Sequence, residues 1–378
     1  MFGRAMVLLP IFIGLLQTPV VAQAPPILVS PDVRPDRTIV FRFWAPKATE
    51  VQLSGDWMSG PPLALTKDAQ GLWTITQGPL EPDIYQYSFL VDGARADDPA
   101  CRCTYAFGAG RGASNRFTIA AKPTAAWENQ NRPPGTLHHE RFYSRSQQRV
   151  RGAVVYTPPG YEKGSRRYPV LFLMPGTPGD EGEWISPGTS AELIFDNLIA
   201  EGRMTSAIVV MHSSDVNPAA PTRRGDDNLR QFETILVDEL VPLVKQRYRV
   251  SMDTKSWAIA GDSLGGEFAV YTGLRHPELF ANIASISGSL VPRGDDEEGL
   301  PSMDQRFGPF LARSNISKNY KLVWIGCGTT DNVCRGSRVF VDRLKAANVP
   351  HTWKEYEGGH QLTVFRRELI DFLQMLFR

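Results

Sequence analysis

The segment Ala258-Ile259-Ala260-Gly261-Asp262-Ser263-Leu264-Gly265-Gly266-Glu267-Phe268 joins a short apolar run to a Gly-x-Ser-x-Gly pattern. It continues with apolar residues at helical spacing, Phe268, Ala269, Tyr271 and Leu274. A serine at the apex of a strand-to-helix turn presents its hydroxyl at a sheet edge. The helix dipole and the amides of the first turn favour a negative charge developing there. Such a turn needs small neighbours, and Gly261, Gly265 and Gly266 let strand and helix approach closely. With 33 glycines in the chain, the pattern alone is weak. The predicted strand before it and helix after it favour a nucleophile over an ordinary glycine-rich turn.

A serine hydroxyl is a poor nucleophile until a base takes its proton. On strand–turn–helix scaffolds of this kind the acid and then the histidine follow the serine along the chain. Of the six histidines, His276, His351 and His360 follow Ser263. His276, in Leu274-Arg275-His276-Pro277, ends the helix after the serine and reads as a capping residue; His351 opens a strand. His360 closes the loop Glu357-Gly358-Gly359-His360 between the last strand and the last helix, at the edge where Ser263 is expected. Asp331 leaves the preceding strand through Gly326-Cys327-Gly328-Thr329-Thr330 and is predicted to accept from the imidazole N–H. A loop-capping role is its bland alternative. An oxyanion hole needs backbone donors. One is the amide of Leu264. The other is expected from Pro175-Gly176-Thr177-Pro178-Gly179-Asp180-Glu181, where Pro178 has no N–H; of Gly176 and Thr177, Thr177 is selected.

These residues need a sheet to hold them. Segments 150–156, 169–174, 207–211, 258–260, 283–288, 321–326 and 351–356 read as strands, and segments 191–201, 228–247, 334–347 and 362–377 as helices. Such alternation predicts a doubly wound α/β sheet over residues 137–378. Before it, segments 38–44, 50–54, 71–76 and 85–91 alternate apolar with polar residues between turn signals, predicting a small immunoglobulin-like β-sandwich over 25–120. Trp44, Trp73, Tyr87 and Phe89 are expected in its core, and Trp57 on its surface as a stacking platform. A polar, proline-rich linker covers 121–136.

Residues 1–24 have the layout of a signal peptide, with Arg4, a short apolar run and small residues before Ala22 and Ala24. The predicted location is secreted or periplasmic, with no stable membrane insertion. An oxidising compartment suits Cys101, Cys103, Cys327 and Cys334. Cys327–Cys334 is a plausible clip around Asp331, whereas Cys101 and Cys103 lie too close for an easy direct bridge and are expected to stay free or bind something else. No histidine sits at ligand spacing beside them, which makes metal binding the weaker reading. Neither a metal nor an organic cofactor is predicted. The net charge of +1 gives no reason to expect nucleic acid as a partner.

Phe43-Trp44-Ala45-Pro46, Gly55-Asp56-Trp57, Gly71-Leu72-Trp73 and Tyr85-x-Tyr87-x-Phe89-x-Val91-Asp92-Gly93 resemble the E-set, glycogen-binding-type module that precedes the catalytic domain in many bacterial carbohydrate esterases. Val155-Tyr156-Thr157-Pro158-Pro159-Gly160-Tyr161, Asp180-Glu181-x-x-Trp184, Tyr248-Arg249-Val250, the Ser263 turn and Gly358-Gly359-His360 are similar to the enterochelin and feruloyl esterase branch of the esterase D family, carbohydrate esterase family 1. The resemblance implies an α/β-hydrolase fold and a triad of Ser263, Asp331 and His360. It also implies hydrolysis of feruloyl or acetyl esters of a plant polysaccharide such as xylan and a possible carbohydrate at the N-terminal module. Trp184, Gly176 and Asp262, close to the nucleophile and its oxyanion loop, are the candidate substrate-binding positions. A siderophore esterase, a mycolyl-type acyltransferase and a carbohydrate-binding protein with an inactive hydrolase domain are the alternatives. The chain departs from the family pattern where His-Gly reads Pro175-Gly176, where Asp262 replaces an apolar residue, and where Phe365 lies in place of a tryptophan. An extra carboxylate at 262 is expected to raise the pKa of the base or to disfavour anionic substrates.

Overall fold

Val170-Leu171-Phe172-Leu173-Met174 is buried along its whole length, as a central strand covered on both faces requires. The computed structural model describes residues 27–58, 60–101, 105–106, 113–177, 179–216, 226–290 and 302–378; the predicted signal peptide 1–24 and Cys103 lie outside them. The strands of the α/β region are β1 (Thr136–Ser144), β2 (Arg149–Thr157), β3 (Val170–Met174), β4 (Ile208–His212), β5 (Trp257–Asp262), β6 (Asn282–Ile286), β7 (Leu322–Gly328) and β8 (Thr352–Tyr356). They form one sheet in the order β1-β2-β4-β3-β5-β6-β7-β8. β1 and β2 pair antiparallel and β2 runs antiparallel to β4; every later pairing is parallel.

Helices cover both faces. They are α1 (Ala191–Ala200), α2 (Asp226–Thr234), α3 (Ser263–Arg275), α4 (Met303–Leu311), α5 (Cys334–Ala346) and α6 (Leu362–Met375). One face packs Leu229, Phe232, Phe268, Phe307 and Phe340, from α2 to α5, against Val170, Phe172 and Ile259. The other packs Ile194 and Phe195 of α1 and Leu369 and Phe372 of α6 against Leu171, Ala260 and Trp324. After α2 the helix continues through a π-turn at Ile235–Leu240 into Val241–Arg247. Pro242 explains the widening, because its ring crowds the preceding turn and it has no amide to donate.

β1 and α4 are among the elements that differ from the sequence expectation. β1 was not expected, because Thr-Leu-His-His-Glu-Arg-Phe-Tyr-Ser lacks an apolar run; it is an edge strand with much of its length exposed. α4 was not expected either, since Gly308 and Pro309 lie inside it. Its start is fixed by a capping box in which Ser302 and Gln305 satisfy each other's amides.

Residues 27–118 hold two antiparallel sheets. One runs Asp32–Val33, Ile39–Trp44, Leu72–Gln77, Thr66–Lys67; the other contains Leu63–Ala64, Val51–Gly55, Ile84–Val91, Ala113–Thr118 and Tyr105–Ala106. Phe41, Phe43, Trp73, Tyr87 and Phe89 fill the space between them. Trp57 joins this core instead of standing outside it, stacking on Phe41 at 5.8 Å and meeting Tyr85 and Phe117 edge-on. Gly55 explains the difference: a Cβ there would lie 2.3 Å from the indole, so the absent side chain lets Trp57 fold back over its own strand.

Segment 119–135 has no helix or strand but is tied to α1. Asn197 donates to the carbonyls of Ala126 and Glu128, and the Gly135 amide donates to Asp196. Cys327 and Cys334 form a disulfide. Cys101 is also disulfide-bonded, contrary to the expectation that it stays free. Among the described residues no helix is long and apolar enough to cross a membrane.

Candidate active site

The register of the parallel strands brings their C-terminal ends to one edge. Met174 of β3 lies beside Gly261 of β5, Asp262 beside Ile286 of β6, and Gly326 of β7 beside the same Ile286. The loops leaving this edge carry Thr177, Ser263, Asp331 and His360.

Ser263 has φ +51°, a left-handed conformation that costs an ordinary residue about 1–3 kcal/mol. Its surroundings impose it. A Cβ on Gly261 would lie 2.4 Å from the carbonyl of Gly265, one on Gly265 2.4 Å from the Pro175 oxygen, and one on Gly266 2.8 Å from the Gly288 Cα. Strand, helix and neighbouring loop are thus in backbone contact around the serine, and the Ser289 amide donates to its carbonyl at 2.9 Å.

The Ser263 hydroxyl lies 2.9 Å from His360 Nε2, and His360 Nδ1 lies 2.8 Å from Asp331 Oδ2. With Nδ1–H donating to the carboxylate, Nε2 is left to accept from the serine. The Asp331 side chain is wholly buried while the imidazole is 27% exposed, so the acid is sheltered and the base is reachable. Asp331 also caps its own loop, where its Oδ1 accepts from the Val333 amide at 2.9 Å. The two loops are joined directly, the Thr330 amide donating to the Gly358 carbonyl at 3.0 Å. His276 and His351 are occupied elsewhere, the first between Glu233 and Glu278 and the second on the Val349 carbonyl. Glu233 and Glu278 hold the His276 imidazole above its usual range.

In the oxyanion loop the Gly176 amide donates to Asp262 Oδ1 at 2.9 Å. Its N–H is therefore engaged, and Thr177 is the next amide along. Gly176 flanks the nucleophile, since a Cβ there would lie 2.8 Å from the Ser263 Cβ and 3.5 Å from its Oγ. Leu264 follows the serine and is buried at the start of α3. The other two expected substrate contacts face inward. Trp184 is 2% exposed and donates its indole N–H to the Met174 carbonyl. Asp262 is buried, with its carboxylate turned to the loop. Both support the site from within, because each satisfies a backbone group that would otherwise be buried without a partner.

Three further side chains complete the edge. Ser213 and Ser214, just past β4, donate to the carbonyls of Gly179 and Gly176 at 3.1 and 2.9 Å. Glu368 of α6 accepts from the Ser287 hydroxyl at 3.0 Å and is fully buried. Burial, and next the negative charges of Asp331 and Asp262, push its carboxyl well above the usual range. Its position was a readable signal: Phe365, Glu368, Leu369 and Phe372 share helical spacing, so this carboxyl falls on the apolar stripe. The one cluster of potential metal ligands among the described residues, Cys327, Cys334 and Glu355, has its two sulfurs in the disulfide.

This strand order, with a serine elbow after the fifth strand and a histidine loop after the eighth, defines an α/β hydrolase preceded by an all-β region. Residues 144–376 match the Esterase family model, and the chain belongs to that family. An endo-1,4-beta-xylanase/feruloyl esterase of Xylanibacter ruminicola is 31% identical over 345 residues, covering 89% of this chain and 44% of that protein. The chain thus spans less than half of that relative's length. Among solved structures, the enterobactin esterase of Shigella flexneri matches with a TM-score of 0.69 and 16% identity, over 90% of this chain and 94% of that one. A CE1 ferulic acid esterase from Anaeromyces mucronatus matches with a TM-score of 0.58 and 23% identity, over 66% of this chain and 93% of that one.

Proposed function

We propose that the protein is a secreted serine carboxylic-ester hydrolase acting on feruloyl or acetyl esters of a plant polysaccharide such as xylan. The observation that carries this is the continuous hydrogen-bonded chain from Asp331 through His360 to Ser263. In this mechanism His360 Nε2 takes the hydroxyl proton as Ser263 Oγ attacks the ester carbonyl. The amides of Leu264 and Thr177 receive the oxyanion, each such donor being worth about 10²–10³ in rate. Collapse of the tetrahedral adduct breaks the ester C–O bond, and the alcohol leaves with the proton from His360. Water, deprotonated by the same imidazole, then cleaves the acyl-enzyme. Asp331 holds the tautomer and stabilises the imidazolium.

The feruloyl and xylan parts of this reading are supported by the 31%-identical relative, an endo-1,4-beta-xylanase/feruloyl esterase. For the polymer, the N-terminal region is taken as an E-set module over 25–120, joined by the linker 121–136 to the hydrolase domain 137–378. Between the two lies a crevice of about 450 Å³ lined by Arg116, Trp127, Asn129 and Glu192, among others. Aromatic, amide and charged groups together are a lining suited to sugar hydroxyls and faces. Turnover of methyl ferulate and of acetylated xylan by the wild type and by Ser263→Ala tests the assignment. Activity should vanish in the variant, and unchanged turnover would exclude Ser263 as the nucleophile. A second reading, hydrolysis of a catecholate siderophore trilactone, is favoured by the longer superposition on the enterobactin esterase, 90% of the chain against 66%. Assaying enterobactin beside the feruloyl and acetyl esters separates the two.

A further inference from the structure

We infer that Asp262 and Ser214 are positioning residues that together aim the Thr177 amide at the reacting carbonyl oxygen; this rests on the serine-hydrolase assignment above. An aspartate at a helix N-cap ordinarily accepts from the amides of its own first turn. Asp262 occupies that position on α3 yet makes no such bond. Its carboxylate instead reaches the neighbouring loop, where Oδ1 accepts from the Gly176 amide. The first turn of α3, with Leu264 in it, is left without a side-chain cap, as a helix end that must receive an anion requires.

The same loop is held from its other side. The Gly176 carbonyl accepts from Ser214 Oγ at 2.9 Å and from the Gly179 amide at 2.7 Å. A trans peptide is planar, so its N–H points opposite to its C=O. Fixing the Gly176 carbonyl therefore fixes the direction of the Thr177 N–H. Ser214 lies past β4, and in the sheet β3 stands between β4 and β5. A carbonyl held on the β4 side turns the following amide toward the β5 side, where Ser263 sits. The two clamps act on consecutive peptide groups, Asp262 on the N–H of Gly176 and Ser214 on its carbonyl. Pro175 adds no donor of its own, which leaves Asp262 to anchor the loop at this point.

The role is geometric, so an acceptor oxygen at 262 should serve whether or not it is charged. Asp262→Asn can still accept from Gly176; Asp262→Ala cannot. In steady-state assays on methyl ferulate and a catecholate trilactone, Asp262→Ala should lower kcat about 10²–10³-fold, the size expected for a lost oxyanion donor. KM should change little, and inactivation by a fluorophosphonate should slow in parallel. Asp262→Asn should recover most of kcat with an unchanged acid limb of the pH–rate profile. Ser214→Ala should lower kcat with KM unchanged, and provides the test if Asp262→Ala does not fold. Wild-type kcat in a folded Asp262→Ala or in Ser214→Ala would overturn the inference. An Asp262→Asn variant as slow as Asp262→Ala would also overturn it, and with a displaced acid limb would assign Asp262 an electrostatic effect on His360. Ser263→Ala, assayed alongside, separates the two levels: activity surviving there removes the serine assignment itself.

Discussion

Arg366 of α6 pairs with Asp83 in the N-terminal all-β region, with both side chains fully buried. The guanidinium also donates to the carbonyls of Ile84 and Gly188 and lies over the Trp127 ring. Arg366 stands six residues after His360, on the helix that the histidine loop opens. The all-β region is therefore anchored to the helix that directly follows the loop of the proposed base.

Removing one partner of a buried pair leaves an uncompensated charge and costs about 3–5 kcal/mol. Asp83→Ala should accordingly lower the urea midpoint strongly. Asp83→Ala combined with Arg366→Met should be less destabilised than Asp83→Ala alone, because no charge is then stranded. Equal midpoints for the wild type and Asp83→Ala would show that the pair does not hold the interface.

Cys327 and Cys334, buried and joined across a separation of seven residues, close the loop that contains Asp331. Chain-entropy reasoning gives such a short loop about 2.5 kcal/mol. Replacing both cysteines with serine should lower the unfolding free energy by that order. It should also reduce kcat more than it raises KM, since Asp331 orients the base and is not expected to touch substrate. A reductant should shift the wild-type midpoint further than that of the variant, which keeps only the disulfide of Cys101; a wild type shifted no more than the variant by full reduction would contradict this.

Gly265 has no room for a methyl group. Its Cβ would meet the backbone oxygens of Pro175 and Met174 at 2.4 and 2.7 Å, and backbone atoms cannot swing aside as a flexible side chain does. Gly265→Ala should therefore displace the oxyanion loop, costing about 1–3 kcal/mol of stability and most of the activity. Circular dichroism and turnover on one preparation check it. A folded variant with wild-type kcat would mean that the close contact is not needed for catalysis.

The parts of the site legible in the sequence were those with a local signature. Ser263 announced itself through glycine spacing between a strand and a helix, and His360 through a glycine loop between the last strand and the last helix. The structure brings both together with Asp331. Residues whose roles depend on what packs against them were harder to read. Asp262 sits beside the nucleophile in the chain, which suggested substrate contact, but its partner is 86 residues away, at Gly176. Trp57 looked exposed beside a turn, and only the three-dimensional contact with Phe41 and Phe117 puts it in the core. β1 carried no apolar pattern because an edge strand need not bury either face fully.

Glu368 supplies a pH signature. It is buried behind Asp331 and Asp262, its second oxygen meets no donor among the described residues, and its carboxyl is held well above the value of 4.5 expected when exposed. The folded state thus keeps a proton that the unfolded chain releases. The stability from this group is complete below about pH 4.5 and declines as pH rises toward the folded-state pKa, because there the unfolded state binds fewer protons than the native one. Glu368→Gln keeps an oxygen for Ser287 without the ionisation, so it should match the wild type near pH 4 and exceed it at pH 8 to 9. Urea titrations of both proteins across that range would show the gap widening with pH. A gap that stays constant would mean that Glu368 is already ionised in the folded protein, adding a third negative charge to those of Asp331 and Asp262.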